Sequence, residues 1–378
     1  MADSTRNAAQ QLGIEGQWTI SIALSSTTPV PINALNEFTI IEEVGNLLPT
    51  WQIDFVAGKD LEKDWVESLE IPITISQSIN SPEKLNTKLQ IIRPYVQQYQ
   101  GGFRQYRASG VYHAPAFVNT PFLTTTKACN GTDVLQEIAK KHFDKIITDD
   151  MTTSSEVQAW SQVNTTDKKF IDYVSSRCYI HNSFVGTGIT SAGHYIIVDV
   201  VKITNKKEKY TIGGDNGLTL LGMPKVQSNS GFMNSAGGYG MDTPIISQDG
   251  GIRTVHRPQI KFGLVNNTHS EIGNVQRKTL APVKCSMSND PKSYMAKANF
   301  DMGNALLAME TCVVTVQASY FPIKIWDVVN LLCPNLDNPS LNTNYSGKYV
   351  VTKVSRSIQN NMFYTSLYLN RDAHNESK

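Results

Sequence analysis

The chain has 378 residues, 40% hydrophobic and 18% charged, values that exclude a disordered polypeptide and give a prior of two or three domains. Its 34 Lys and Arg nearly cancel its 33 Asp and Glu, so the molecule as a whole has no electrostatic pull toward nucleic acid or an anionic membrane. Five cysteines stand singly without a CxxC pair, which removes zinc-knuckle and thioredoxin readings and fits reduced, mostly buried thiols in a protein folded in a cytoplasm.

The N-terminal residues 1–15 are polar, lack the apolar core of a signal peptide, and read as an arm. From Gly16 the apolar residues alternate: Trp18, Ile20, Ile22 and Leu24 fall on one face of a predicted strand. Strand patterns continue at 38–41, 51–56, 71–75, 89–96 and 107–118, separated by turn signals such as Gly45-Asn46, Pro49 and Gly101-Gly102. Five or more short strands in roughly 105 residues predict a barrel or a sandwich.

The pattern then changes. Thr132 is the expected N-cap of a helix whose Leu135, Ile138, Ala139 and Phe143 share a face. A polar stretch, Asp149 to Gln158, leads to Trp160 and a second short helix over 167–178, with Phe170, Ile171, Val174 and Cys178 on one side. Gly186-Thr-Gly188-Ile-Thr-Ser-Ala-Gly193 lacks the GK[ST] ending and GxGxxG spacing of a phosphate loop, so it reads as a flexible turn before an apolar strand, 195–201. Lys206 to Lys209, interrupted by Glu208, read as a solvated turn. Residues 227–242 have neither period. Such a loop suits ordering against a neighbouring subunit, and its aromatics Phe232 and Tyr239 are the candidate intersubunit contacts, with packing onto their own barrel the equal alternative.

From about Thr254 the chain is β-rich again, with one helix. Asp290-Pro291 is a helix opening, and Met295, Ala298, Met302, Leu306 and Met309 follow at helical spacing. Val314, Val316, Ala318 and Tyr320 alternate as a strand. Segments 348–358 and 362–372, joined by Gln359-Asn360-Asn361, predict a terminal hairpin, and 373–378 a frayed tail. No run of about 18 apolar residues marks a membrane-spanning helix.

No catalytic, cofactor-binding or metal site emerges from the pattern. His194 and Asp199, five apart on a strand, point to opposite faces. Asn234 to Gly237 is not a GxSxG elbow, and the seven histidines show no HxH or HExxH spacing. Asp149-Asp150 and Glu42-Glu43 are adjacent acids that diverge, unlike the facing carboxylates of a glycosidase, and read as solvated.

Three segments carry a family resemblance: Phe38-Thr-Ile-Ile-Glu-Glu-Val-Gly45; Gln158-Ala-Trp160 through Thr166-Asp167-Lys-Lys-Phe170 to Val174; and Gly347-Lys-Tyr-Val-Val-Thr-Lys-Val354 with Tyr364 to Asp372. In this order they resemble phage baseplate hub proteins, the family of late control protein D and of the base of type VI secretion spikes. The resemblance implies a β-rich α+β chain with two tail-tube-like β-barrel domains. After the arm at 1–15, these would be residues 16–125 and 255–378, the second with one helix and the C-terminal hairpin. A helical insert, a strand and the long Gly/Ser/Asn-rich loop would lie between them at 126–254. Direct sequence repetition between the halves is not visible.

The resemblance also implies a non-enzymatic homotrimer, whose six similar barrels would match the sixfold tail tube at one rim and the threefold central spike at the other. Expected partners are the tail tube protein, the spike protein, other baseplate or tape-measure components, and DNA in transit. The expected place is the virion tail baseplate, assembled in the host cytoplasm. A lumen that passes DNA must avoid strong positive charge, which would retain phosphate. Two other classes stay open: a β-rich receptor- or carbohydrate-binding tail component, and a tail-associated cell-wall hydrolase.

Overall fold

A computed structural model of the protein describes residues 19–22, 34–58, 61–67, 70–76, 84–98, 102–214, 217–228, 243–246, 252–255, 260–265, 291–316, 322–335, 340–359 and 362–372. The alternating segments of the first third form β1 (Thr19–Ile22), β2 (Ala34–Glu43), β3 (Thr50–Ala57), β4 (Ile71–Ser76), β5 (Lys84–Gln98) and β6 (Arg104–Tyr112), with helix α1 (Glu62–Glu67) before β4. The middle holds α2 (Pro115–Asn119), β7 (Pro121–Thr125), α3 (Gly131–His142), β8 (Lys145–Ile147), β9 (Ser161–Thr166), α4 (Asp167–Ser175), β10 (Val185–Ile189), β11 (His194–Asp199) and α5 (Val200–Thr204). Then follow β12 (Tyr210–Ile212), β13 (Lys225–Ser228), β14 (Thr243–Ile246), β15 (Ile252–Val255), α6 (Pro291–Leu307), β16 (Glu310–Val316), β17 (Val328–Leu331), β18 (Gly347–Gln359) and β19 (Met362–Arg371).

Among the described residues, twelve strands join one sheet along the path β1-β4-β5-β6-β3-β2-β18-β19-β16-β13, with β17 beside β18 and β12 beside β17. The path crosses from the first to the last third of the chain at a single antiparallel ladder, β2 against β18, from Glu37↔Gln359 to Glu43↔Lys353. Among the described residues the path does not close on itself as a barrel.

The pairing is repeated along the chain. β2, β3, β6, β5 and β4 are antiparallel neighbours in that order, and so are β13, β16, β19, β18 and β17. In the hairpin β5–β6 the register shifts between Ile91 and Arg93; in β18–β19 it shifts between Val351 and Lys353. A bulge bends its strand and increases twist, so the two long hairpins bend at matching places. The flanks differ: β1 is antiparallel to β4, whereas β12 is parallel to β17.

Period two puts one face of this sheet in the core. Phe38, Ile40, Ile53, Phe55 and Ala108 are buried with Trp65 of α1. Cys312, Val314, Val354, Leu367 and Leu369 form the corresponding face of the second strand group. A third core belongs to the helical insert, where Leu135 and Ile138 of α3 meet Phe170, Ile171 and Val174 of α4 and Tyr195 and Ile197 of β11. Burying each large apolar side chain contributes roughly 1.5–3 kcal/mol, before the entropy of ordering it is counted.

Local chemistry moves several boundaries. Asn130, not Thr132, caps α3: its Oδ1 accepts from Asp133 N–H at 2.9 Å, while Thr132 is buried inside the first turn. The strand expected over 107–118 ends at Tyr112, and Pro115 opens α2 three residues later. The strand expected over 195–201 ends at Asp199, whose carboxylate caps α5 by accepting from Lys202 N–H at 3.1 Å. Gly186 and Gly188 are not in a turn but inside the fully buried strand β10. A Cβ on Gly186 would lie 2.7 Å from the Trp326 ring and one on Gly188 2.3 Å from Ile325, so close packing excludes side chains there.

Candidate functional surface

The residues out of phase with the core make the other face of the continuous sheet, and most of them are polar, with Ile41 and Val111 the apolar exceptions in the two rows below. One cross-strand row runs Tyr364, Ser357, Thr39, Gln52, Ser109, Arg93 across six strands. A parallel row runs Thr315, Ser366, Ser355, Ile41, Thr50, Val111. These side chains are half-buried or exposed. Hydroxyls pair with their neighbours, as Thr315 and Ser366 do at 3.0 Å.

Two ion pairs lie on this face. Lys353 Nζ lies 3.3 Å from Glu43 Oε2 on the adjacent strand. Asp54 receives Gln105 Nε2 at 2.7 Å, Asn36 Nδ2 at 2.8 Å and the Arg107 guanidinium. A surface made mostly of hydroxyls and amides, with its acids Glu43 and Asp54 paired to Lys353 and Arg107, is a weak platform for holding a polyanion.

Two charged residues fall on the wrong phase, at the seam between β2 and β18. Glu42 is in step with Phe38 and Ile40, and Arg356 with Val354 and Ile358; they are 1% and 3% exposed. Arg356 Nη1 lies 3.3 Å from Glu42 Oε2 and donates to Ser191 Oγ at 3.1 Å, while Nη2 donates to the Ile323 carbonyl. The backbone N–H groups of Ser191 and Ile325 donate to the two Glu42 carboxylate oxygens. Ser191 sits in the β10–β11 turn, and Ile323 and Ile325 in the approach to β17. One buried pair therefore ties both strand groups and the helical insert together. Glu42 was expected to be solvated with Glu43; only Glu43 is exposed.

A second buried pair holds the far end of the later strand group. Arg371 Nη2 is 2.6 Å from Glu310 Oε1 on the neighbouring strand, and Tyr349 Oη donates to the same oxygen at 2.7 Å. Burial drives the Tyr349 phenol far above its ordinary range; Arg371 pulls it back and Glu310 pushes it further up. In the insert, His142 Nε2 meets Asp167 Oδ2 at 2.7 Å, joining α3 to α4, and Gln162 Nε2 donates to Asp167 Oδ1 at 2.8 Å. Glu156 accepts from the N–H groups of Gly131 and Tyr179, both at 2.6 Å; burial raises its pKa and these donors lower it.

These acids and bases are occupied as braces rather than presented to a cleft. His194 and Asp199 occupy the two ends of β11, about 16 Å apart at the rise of a strand, and Asp199 is taken up by Ser183, Thr152 and the α5 cap. Lys206 pairs with Asp150, and Lys209 lies 3.4 Å from Asp327. Phe232 and Tyr239 lie outside the described residues. Among the described residues, no three His, Cys, Asp or Glu side chains group to hold a metal, and no helix is long and apolar enough to cross a membrane.

No family model and no curated protein matches the chain. Solved structures share its fold. A tail protein from Neisseria meningitidis has a TM-score of 0.58 at 10% identity, over 94% of this chain and 97% of that one. The 43 kDa tail protein of prophage MuSo2 from Shewanella oneidensis reaches 0.61 at 11% identity, over 95% of this chain and 100% of that one. An E. coli component of the type VI secretion system, structurally similar to the T4 bacteriophage tail proteins gp27 and gp5, reaches 0.55 at 7% identity, over 94% and 79%.

Proposed function

We propose that the protein is a structural hub of a phage tail baseplate, a homotrimeric ring that adapts the sixfold tail tube to a threefold central spike. The observation that carries this reading is the repeated strand pairing within one chain, bulge included, joined at β2·β18. Each repeat is the framework of one tail-tube-like barrel, the first within residues 16–125 and the second built around 255–378, with β13 contributed from the segment before it. Two similar units per chain let three chains present six similar docking surfaces, which is what a threefold-to-sixfold adaptor needs. The fold shared with phage tail proteins and with a type VI secretion component supports the same place in a tail.

The mostly polar face suits the lumen. DNA leaving the virion would pass mostly hydroxyls, amides and paired charges, which release few counterions on contact. The helical insert, held to the sheet through Glu42 and Arg356, is the part left to meet the spike or other baseplate components. Native mass measurement of the purified chain tests the reading: three copies are expected, and a stable dimer or tetramer overturns it.

A further inference from the structure

The internal repeat carries an interface. Within one chain β18 is covered on its outer side by two strands: β17 takes Gly347–Val350 and β2 takes Lys353–Gln359. The counterpart of β18 in the first repeat is β5. Its first half, from Lys84 to Leu89, is covered by β4. Its second half has β6 on one side and, among the described strands, none on the other. Burial follows the difference, position by position. Val354 and Arg356 are buried, whereas their counterparts Pro94 and Val96 are exposed and half-buried; Thr352 and Ser355 are half-buried, whereas their counterparts Ile92 and Tyr95 are 57% and 50% exposed. Ile92 also lines an open apolar groove with Ile41, Leu47, Val111 and Val118.

The counterpart of β2 is β13, which pairs with β16 on one side and, among the described strands, with none on the other. Each chain thus carries an acceptor edge at β5 and a donor strand at β13, far apart along the strand path. We propose that β13 of one copy adds antiparallel to the second half of β5 in the next copy, as β2 adds to β18 within a chain. This rests on the hub reading for the number of copies, three, but not for the pairing itself. Donor and acceptor are different surfaces, so the contact is head-to-tail and must close as a ring or run on as a filament.

The repeat also sets the register. Matching the hairpins at their bulges aligns Arg93 with Lys353, and matching β3 with β16 through their partners aligns Ile40 with Val226. Since Ile40 faces Arg356, Val226 faces Val96; Gln227 then faces Tyr95, and Lys225 faces Gln97. Val44 N–H donates to the Thr352 carbonyl, so by strand alternation the Val354 N–H also points at β2. Its counterpart is Pro94, which has no N–H to offer. The open edge therefore keeps the Pro94 carbonyl and both Val96 groups for its partner while denying one bond to any stray strand.

Tyr95 and Gln227 would form a pair without mutual backbone hydrogen bonds, where Cα atoms approach to about 4.5 Å, within disulfide range. The test mixes full-length Tyr95→Cys with full-length Gln227→Cys under mild oxidation. A two-chain disulfide is expected from the mixture and from neither variant alone, with a marked loss of yield for Tyr95→Cys against Lys225→Cys, two residues out of register. Amide exchange supplies a second readout, with Val96 slowed in the assembly. No mixed disulfide and no slowing, in a protein that still weighs three copies, overturns the pairing and leaves the hub reading. A mixed disulfide in an assembly of another copy number supports the pairing and overturns the hub reading.

Discussion

At the residue scale, buried charge decides where this chain is most sensitive. Removing the Arg356 side chain leaves Glu42 buried without its cation, a change that costs about 3–5 kcal/mol. Arg356→Met is expected to lower the unfolding free energy by about that amount, and adding Glu42→Gln to recover part of it, both read from urea unfolding curves. Asp372, next to Arg371, behaves oppositely. Burial pushes its carboxyl up to about 6, against the pull of its own backbone N–H and of Arg371. The folded protein therefore holds this proton more tightly than the unfolded chain, and stability from this group is lost as pH rises from about 4 through 6. Asp372→Asn is expected to match the wild type near pH 4 and to exceed it at pH 7, by on the order of 1 kcal/mol.

At the element scale, the ribbon of β7 and β9 sets Leu123 opposite Val163, 81% and 64% exposed. Truncating either is expected to leave stability within about 0.5 kcal/mol by thermal unfolding, since little burial is lost. Gly188→Ala in β10 is expected to cost 1–3 kcal/mol, about what overpacking a core demands, with Ile325→Ala restoring part of it. The strands were legible because alternation survives in them: β3, β18 and β19 lie where the period-two segments were expected. The ends were less so. Asn130 outcompetes Thr132 as a cap because its side chain reaches the Asp133 N–H from outside the helix. The glycines of β10 read as a turn because their reason, the Trp326 ring, lies over a hundred residues away in sequence. Glu42 and Arg356 do leave a trace, each a charge on the apolar phase of its strand, but they stand 314 residues apart and at no spacing that marks a catalytic pair.

At the scale of the whole molecule, repetition is a property of pairing and not of sequence. Ile92 and Thr352 occupy the same bulge, and Val96 stands where the second repeat has Arg356, so residue identity hides what hydrogen-bonded topology preserves. The polar face of the sheet carries its own expectation. The wild-type assembly should not retain duplex DNA at physiological salt, whereas Thr39→Lys, Gln52→Lys and Ser357→Lys together should retain it, with affinity falling steeply as salt rises. Retention by the wild type would remove this face from the lumen.

The most direct measurement is end-on imaging of the assembled protein by electron cryo-microscopy. A threefold ring is expected, with six similar densities around one rim, three of their junctions lying within chains and three between them. A ring of any other order, or a rim on which the two densities of each chain follow different strand paths, would contradict the adaptor.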